Sequence, residues 1–218
     1  MTNIKIDDNT NSTPPKRIGL LDPKVMDGPT VPNTVHDIFR SNHKVFLTYH
    51  TMSTPFFLFN TVGSVVGAGI YGFGLRTIPA RLIAPTLLTS STSTLAVLTS
   101  TTGLGFGCLG TALGLAALSS IARKGENATP IPFTDEGVEQ RANGLAHNFK
   151  VRIIDLSCWS GMGIAATALV VAGGPSKLKL CTGTLGVVQA LSLGSALGGL
   201  GAIGCLYSMS MNDEDDDE

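Results

Sequence analysis

Four histidines and four cysteines are the residues of this chain best suited to bind a metal or attack a substrate, so their spacing decides which chemistry is on offer. Cys108, Cys158, Cys181 and Cys205 show no C-x-x-C spacing and lie within or beside long apolar runs. That pattern supplies neither a zinc site nor a disulfide framework and leaves the cysteines as small packing residues. His36, His43, His50 and His147 fall in polar or amphipathic segments; His50 and His147 could face each other as a haem or metal pair only if the fold brought them together. The chain has no P-loop, no G-x-S-x-G and no paired-carboxylate motif. "GLGFGCLG" at 103–110 resembles part of a dinucleotide fingerprint, but it follows no strand and sits in an apolar run. These residues predict no catalytic, cofactor-binding or metal site, and hence no enzyme. A net charge of −1 gives no basic surface for nucleic acid.

The elements that would position any such residue are set by the distribution of charge. Charged residues make up 14% of the chain, against roughly 25% in soluble domains. They are confined to residues 3–44, a middle segment at 123–155, two short basic stretches and the terminal "NDEDDDE". Between them lie uncharged runs at 45–75, 82–122, 156–176 and 180–212. Each meets the requirement of about 20 apolar residues for crossing a hydrocarbon layer of about 30 Å. The run at 82–122 holds 41 residues, enough for two crossings. An internal comparison favours one: "PARL" at 79–82 precedes Cys108 by 29 residues counted from its proline, and "PSKL" at 175–178 precedes Cys205 by 30. The reading is an all-α membrane protein with crossings near 54–75, 94–120, 156–174 and 182–207, arranged as two tandem hairpins. A break near "TSTTG" would instead give five helices.

The same reading divides the chain into a disordered tail (1–33), a first amphipathic helix and hairpin (34–122), a linker with a second amphipathic helix (123–153), a second hairpin (154–211) and an acidic disordered tail (212–218). Thr34 and Thr134 are candidate helix caps, followed by apolar faces at Val35, Ile38, Phe39 and Phe46, and at Val138, Ala142, Leu145 and Phe149. Both helices are expected to lie in the membrane interface or to pack on soluble parts of a partner. Arg76 and Arg81 in the first hairpin loop, and Lys177 and Lys179 in the second, are the topology-determining residues. They predict both loops on the positive side and both termini on the other, with Tyr49, Phe56, Phe57, Trp159 and Tyr207 at the terminal-side interface.

Glycine carries the packing expectation. Each glycine costs a water-exposed helix about 1 kcal/mol relative to alanine, whereas in lipid small residues four apart let two backbones approach. The pattern occurs at Gly63 and Gly67, Gly103 and Gly107, Gly110 and Gly114, Gly161 and Ala165, and over five consecutive positions at Gly186, Ala190, Gly194, Gly198 and Ala202. Asn60 and Gln189 are the expected interhelical polar residues. No ionisable side chain is expected at membrane depth, with Asp155 taken as an interfacial ion partner of Arg152 or a helix start.

Four glycine-rich crossings, short basic loops after the first and third, and no cleavable presequence resemble the inner-membrane family of preprotein translocase channel subunits, which includes a small accessory subunit of respiratory complex I. The resemblance covers 54–207 at the level of architecture. That family carries an arginine and aspartate signature between its second and third crossings; here Arg123 and Asp135 lie in that region with different spacing and no flanking glycine pattern. The resemblance implies a mitochondrial inner-membrane protein with both termini in the intermembrane space. The expected function is that of a non-catalytic scaffold, accessory or assembly subunit, with the lipid bilayer and other membrane subunits as partners and no cofactor. The alternatives are a transporter or channel for an uncharged or lipidic solute, and another organelle or secretory-pathway membrane.

Overall fold

Uncharged runs placed in lipid must satisfy every backbone N–H and C=O internally, which leaves the helix as the local solution. A computed structural model describes residues 42–74 and 91–215. They form five α-helices: α1 His43–Gly72, α2 Thr94–Lys124, α3 Asp135–His147, α4 Phe149–Ala172 and α5 Gly183–Asp215. All but α3 are long and apolar enough to cross a membrane. No strand occurs among the described residues.

Side-chain caps set the helix starts. The Asn42 side-chain oxygen accepts the Val45 N–H at 3.2 Å, the Ser93 hydroxyl accepts from Ala96 at 3.4 Å and the Thr134 hydroxyl accepts from Gly137 at 3.2 Å. Asn148 alone separates α3 from α4 and accepts from Lys150 and Val151 at 3.1 and 3.3 Å. That cap begins α4 at Phe149, ahead of the expected crossing at 156. α4 stops where Gly173 enters the left-handed region at φ 76°, with Gly173 and Gly174 donating to Val170 and Leu169. Pro175 then prevents continuation. α2 runs unbroken through the Ser/Thr stretch at 99–102, as one crossing rather than two. α1 is continuous from His43 through the expected start at 54, and Thr34 lies outside the described residues. α5 continues to Asp215, into the segment read from sequence as a disordered acidic tail.

α1 packs on α2 and α4 packs on α5, and the residue pairings make both antiparallel. Along the first pair, Gly114 meets Thr51, Gly110 meets Pro55, Gly107 meets Phe56 and Gly67 meets Leu98 and Thr99. Along the second, Gly198 meets Ser157 and Gly194 meets Gly161 and Ala165. α1 and α5 also touch each other and are the central helices, with 33% and 39% of their apolar windows buried against 11% and 17% for α2 and α4. Pro55 cannot donate to the Thr51 carbonyl, and Gly114 brings the α2 backbone against that same oxygen. α3 packs on α1 through buried Val138 and Ala142. Lys44 and Asp135 join the two at 2.7 Å, and the Lys44 ammonium holds the exposed Asp135 carboxyl below its ordinary value.

Polar side chains share the interior with apolar ones, while large aliphatic side chains remain outside. Asn60, Thr61, Ser64, Ser100, Gln189, Ser192 and Ser195 are buried, while Val62, Val65, Ile164, Val170, Val171 and Leu197 face outward. An exterior of large aliphatic side chains over an interior of hydroxyls and amides suits a lipid solvent.

Replacing Gly194 and Gly198 together by leucine should leave membrane insertion intact, since hydrophobicity rises, while forcing α4 and α5 apart. A thermal-melt series in detergent should show a marked loss of stability for this variant and almost none for Gly163→Leu, whose added side chain meets nothing within 4 Å. Equal melting of the two variants would refute the packing assignment.

Candidate functional site

At the centre of the bundle the backbones come close enough for side-chain amides to bridge helices. The Asn60 side-chain nitrogen donates to the Ser192 carbonyl at 2.9 Å, and the Ser192 hydroxyl donates to the Asn60 side-chain oxygen at 2.6 Å. These two bonds tie α1 to α5. Gly103 of α2 lies against the same Asn60 and against Ser64, so a side chain there would collide with both. One helical turn further along, buried Gln189 accepts the Cys181 N–H at 3.2 Å and donates to the Thr101 hydroxyl at 3.4 Å. Gln189 thereby fastens α5 to its own lead-in and to α2. Burial pushes the Cys181 thiol above its ordinary value, with the Gln189 contact pulling the other way. The thiol is therefore a poor nucleophile at neutral pH.

The remaining residues singled out from sequence take several different environments. Gly63 faces Phe106 and Thr102 on α2. Gly161 and Gly194 place each other's carbonyls where a side chain would stand. Gly186 packs on Cys181 and Pro175 of the preceding connection rather than on a neighbouring helix. Ala190 is buried with Leu169 and Leu180, and Ala202 is buried on α5. Lys177 lies in the short 3-10 turn Pro175–Leu178; Lys179, at φ 59°, follows it and accepts the Ser93 N–H through its carbonyl at 2.7 Å. Arg76 and Arg81 lie outside the described residues. The sequence reading missed a second small-residue row on α5, Ser192, Ser195 and Gly199, which joins the first at Ala202. Gly199 of this row packs on Thr61 of α1. Its three-and-four spacing was present in the sequence but overlapped the more regular glycine row.

The largest departure from the sequence reading is electrostatic. Asp155 does not sit at the helix edge: it is completely buried about two turns inside α4, and its Oδ2 stands 3.4 Å from Nδ1 of equally buried His50 on α1. A buried ionisable pair therefore joins two of the long apolar helices near their N-terminal ends. His50 Nδ1 also lies 3.4 Å from the Thr54 hydroxyl. His147, the other histidine weighed as a metal partner, is exposed and lies 2.8 Å from the Asn143 carbonyl on its own helix. Among the described residues no group of three His, Cys, Asp or Glu side chains can hold a metal ion.

Aromatic residues close over this pair. The Trp159 indole N–H donates to the Tyr49 hydroxyl at 2.7 Å, and Phe57 meets Trp159 edge to face with centroids 6.0 Å apart. Phe46 and Tyr49 flank the imidazole at 4.5 and 5.1 Å. Burying a carboxylate or an imidazolium alone is expensive, and burying the two together offsets much of that cost. The arrangement fixes α4 against α1 and can hold a proton between carboxylate and imidazole. On its other side His50 reaches the wall of a cleft of about 280 Å³ between α1, α2 and α3.

Asp155→Leu should lower stability by about 3–5 kcal/mol by leaving His50 buried without its carboxylate, and adding His50→Leu should recover most of the loss. Trp159, the sole tryptophan, reports unfolding of this region by fluorescence. An additive double variant would show that the two side chains do not interact. Gln189→Leu orphans the Cys181 N–H and should cost about 1–3 kcal/mol by the same readout; an unchanged denaturation midpoint would show that its bonds are immaterial.

No family model matches the chain, and comparison with curated proteins and with solved structures likewise gives no match.

Proposed function

We propose that this protein is a non-catalytic scaffold or accessory subunit of a larger membrane complex, built as two tandem helix hairpins. One observation carries the reading: among the described residues there is more small-residue surface than the packing of the helices uses. Gly63, Gly67, Gly103, Gly107, Gly110 and Gly114 are consumed by the α1–α2 contact, and Gly161, Gly194 and Gly198 by the α4–α5 contact. Gly69, Gly105, Gly163, Gly201 and Gly204 meet nothing within 4 Å among the described residues. Glycine destabilises an isolated helix, and a lipid-facing position gains nothing from it. A neighbouring helix would recover that cost through close approach. Gly201 and Gly204 lie beside Leu200, Ile203 and Tyr207 on the exposed side of α5, an arrangement suited to a partner helix.

The four crossings resemble the translocase-channel and complex I accessory family only in architecture, and on that basis we propose the mitochondrial inner membrane as the location. An even number of crossings puts both termini on one side, the intermembrane space in this reading, with Arg76, Arg81, Lys177 and Lys179 on the other. α3 would lie at the terminal-side interface.

A second reading, a conductor of an uncharged or lipidic solute, draws on a cavity of about 490 Å³ between α4, α5 and the start of α2. Its walls are Ser157, Ser160, Ile164, Leu178, Leu193 and Leu197 among others. The polar centre argues the other way, because Asn60 and Gln189 are both engaged in helix-to-helix bonds.

Gly201→Leu with Gly204→Leu separates the two. The scaffold reading expects this variant to melt like the native chain in detergent yet fail to enter a high-mass complex on native gels of gently solubilised membranes. Normal complex formation by the variant, or saturable solute uptake by liposomes holding only the purified protein, would favour the conductor.

A further inference from the structure

The cleft beside His50 has a composition that the scaffold reading does not use. It lies between the first turns of α1 and the last turns of α2 and is closed at one side by α3. Leu47, Pro55, Ala117, Leu118, Ile121 and Leu145 make an apolar wall, Thr51 and Thr54 add hydroxyls, and Arg141 of α3 is the cation among the lining residues. Its depth in the bilayer follows from its neighbours. α2 ends just beyond it in exposed Arg123 and Lys124, and α1 begins just before it with exposed Lys44. The cleft therefore opens where hydrocarbon gives way to headgroups.

Arg141 is the unusual member. Its guanidinium donates one bond to the Ile131 carbonyl, its Nε is buried without a hydrogen-bond acceptor, and among the described residues no carboxylate pairs with it. Burial lowers its affinity for its proton. A half-buried guanidinium keeps its charge and retains forked donors suited to a phosphate. Nearby acids do not supply the missing anion. Asp135, in the first turn of α3, is turned to Lys44 at 2.7 Å, and Asp155 faces His50.

We propose that this cleft binds one anionic phospholipid of the surrounding bilayer, with the lipid phosphate on Arg141 and the upper part of an acyl chain along Ala117, Leu118 and Ile121. The unneutralised cation at headgroup depth selects the charge, and the apolar wall below it selects an amphiphile over a small ion. The site is independent of the scaffold proposal, since it lies on α1, α2 and α3 and not on the open glycine face of α5.

The test uses the full-length chain in nanodiscs of mixed phosphatidylglycerol and phosphatidylcholine, released into the gas phase for native mass spectrometry. The expected result is retention of one phosphatidylglycerol in preference to phosphatidylcholine by at least tenfold. Arg141→Gln should abolish that preference, Arg141→Lys should keep part of it, and Lys177→Gln at the opposite end of the bundle should leave it intact. Ala117→Trp fills the cleft without touching the charge and should also expel the lipid, so the site is tested even if Arg141→Gln fails to fold. Inorganic phosphate added to protein in pure phosphatidylcholine discs distinguishes a free anion from a headgroup. Stabilisation by phosphate equal to that by phosphatidylglycerol would overturn the lipid assignment. So would an unchanged lipid preference in either Arg141→Gln or Ala117→Trp, or no preference in the native chain.

Discussion

The reciprocal pair of hydrogen bonds between Asn60 and Ser192 is the contact on which the arrangement of the bundle depends. In lipid, burying leucine against leucine gains little, so a helix contact must come from close approach and from polar groups with nowhere else to go. Asn60 reaches a backbone carbonyl on α5, which is possible only when the two backbones are near. Gly199 of α5, packed on Thr61 of α1, and the serines of α5 permit that nearness, because larger residues there would separate the helices before the amide could bridge them. Polar satisfaction and small-residue packing are thus one constraint here: the amide supplies the attraction and the missing side chains supply the geometry.

The His50–Asp155 pair does for α4 what Asn60 does for α5. It fastens an outer helix to α1 through groups that are costly to expose to hydrocarbon once they are inside. Tyr49, Phe57 and Trp159 then exclude lipid and water from the pair. The two contacts fall at different depths, one near the terminal end and one near the middle, so α1 is held at separate levels along its length. Central helices with polar anchors and outer helices with bare apolar faces leave a surface on which further helices can lie.

That surface and the interior divide the glycines into two populations with opposite meanings. Where a carbonyl of the next helix occupies the place of a side chain, as at Gly161 and Gly194, glycine is required by the fold. Where no described residue is near, as at Gly201 and Gly204, the contacts among the described helices do not require it. The scaffold proposal rests on this second population, because a residue that weakens its own helix and serves no internal contact points to a contact outside the chain.

Much of the architecture was legible in the sequence, for a physical reason: the hydrocarbon layer imposes a length, and only uncharged runs of that length can occupy it. The run at 82–122 was read as holding one crossing from about 94, and α2 starts there and continues without a break. The start of α3 at Thr134 was visible in the same way, because a cap and its first turn are local. Residue contacts separated by long stretches of chain were not legible. Asn60 and Gln189 could be named as polar groups needing partners, but not Ser192 or Thr101 as those partners. The burial of Asp155 was not legible, because it depends on Asn148 starting α4 early and on His50, which lies on a different helix. Gly194 and Gly201 are the same residue in the same helix, and only the position of α4 makes one indispensable and leaves the other bare. Solvent and chain length act on each segment separately and so are written in the sequence; which faces meet is a property of the assembled helices, and tertiary structure alone decides it.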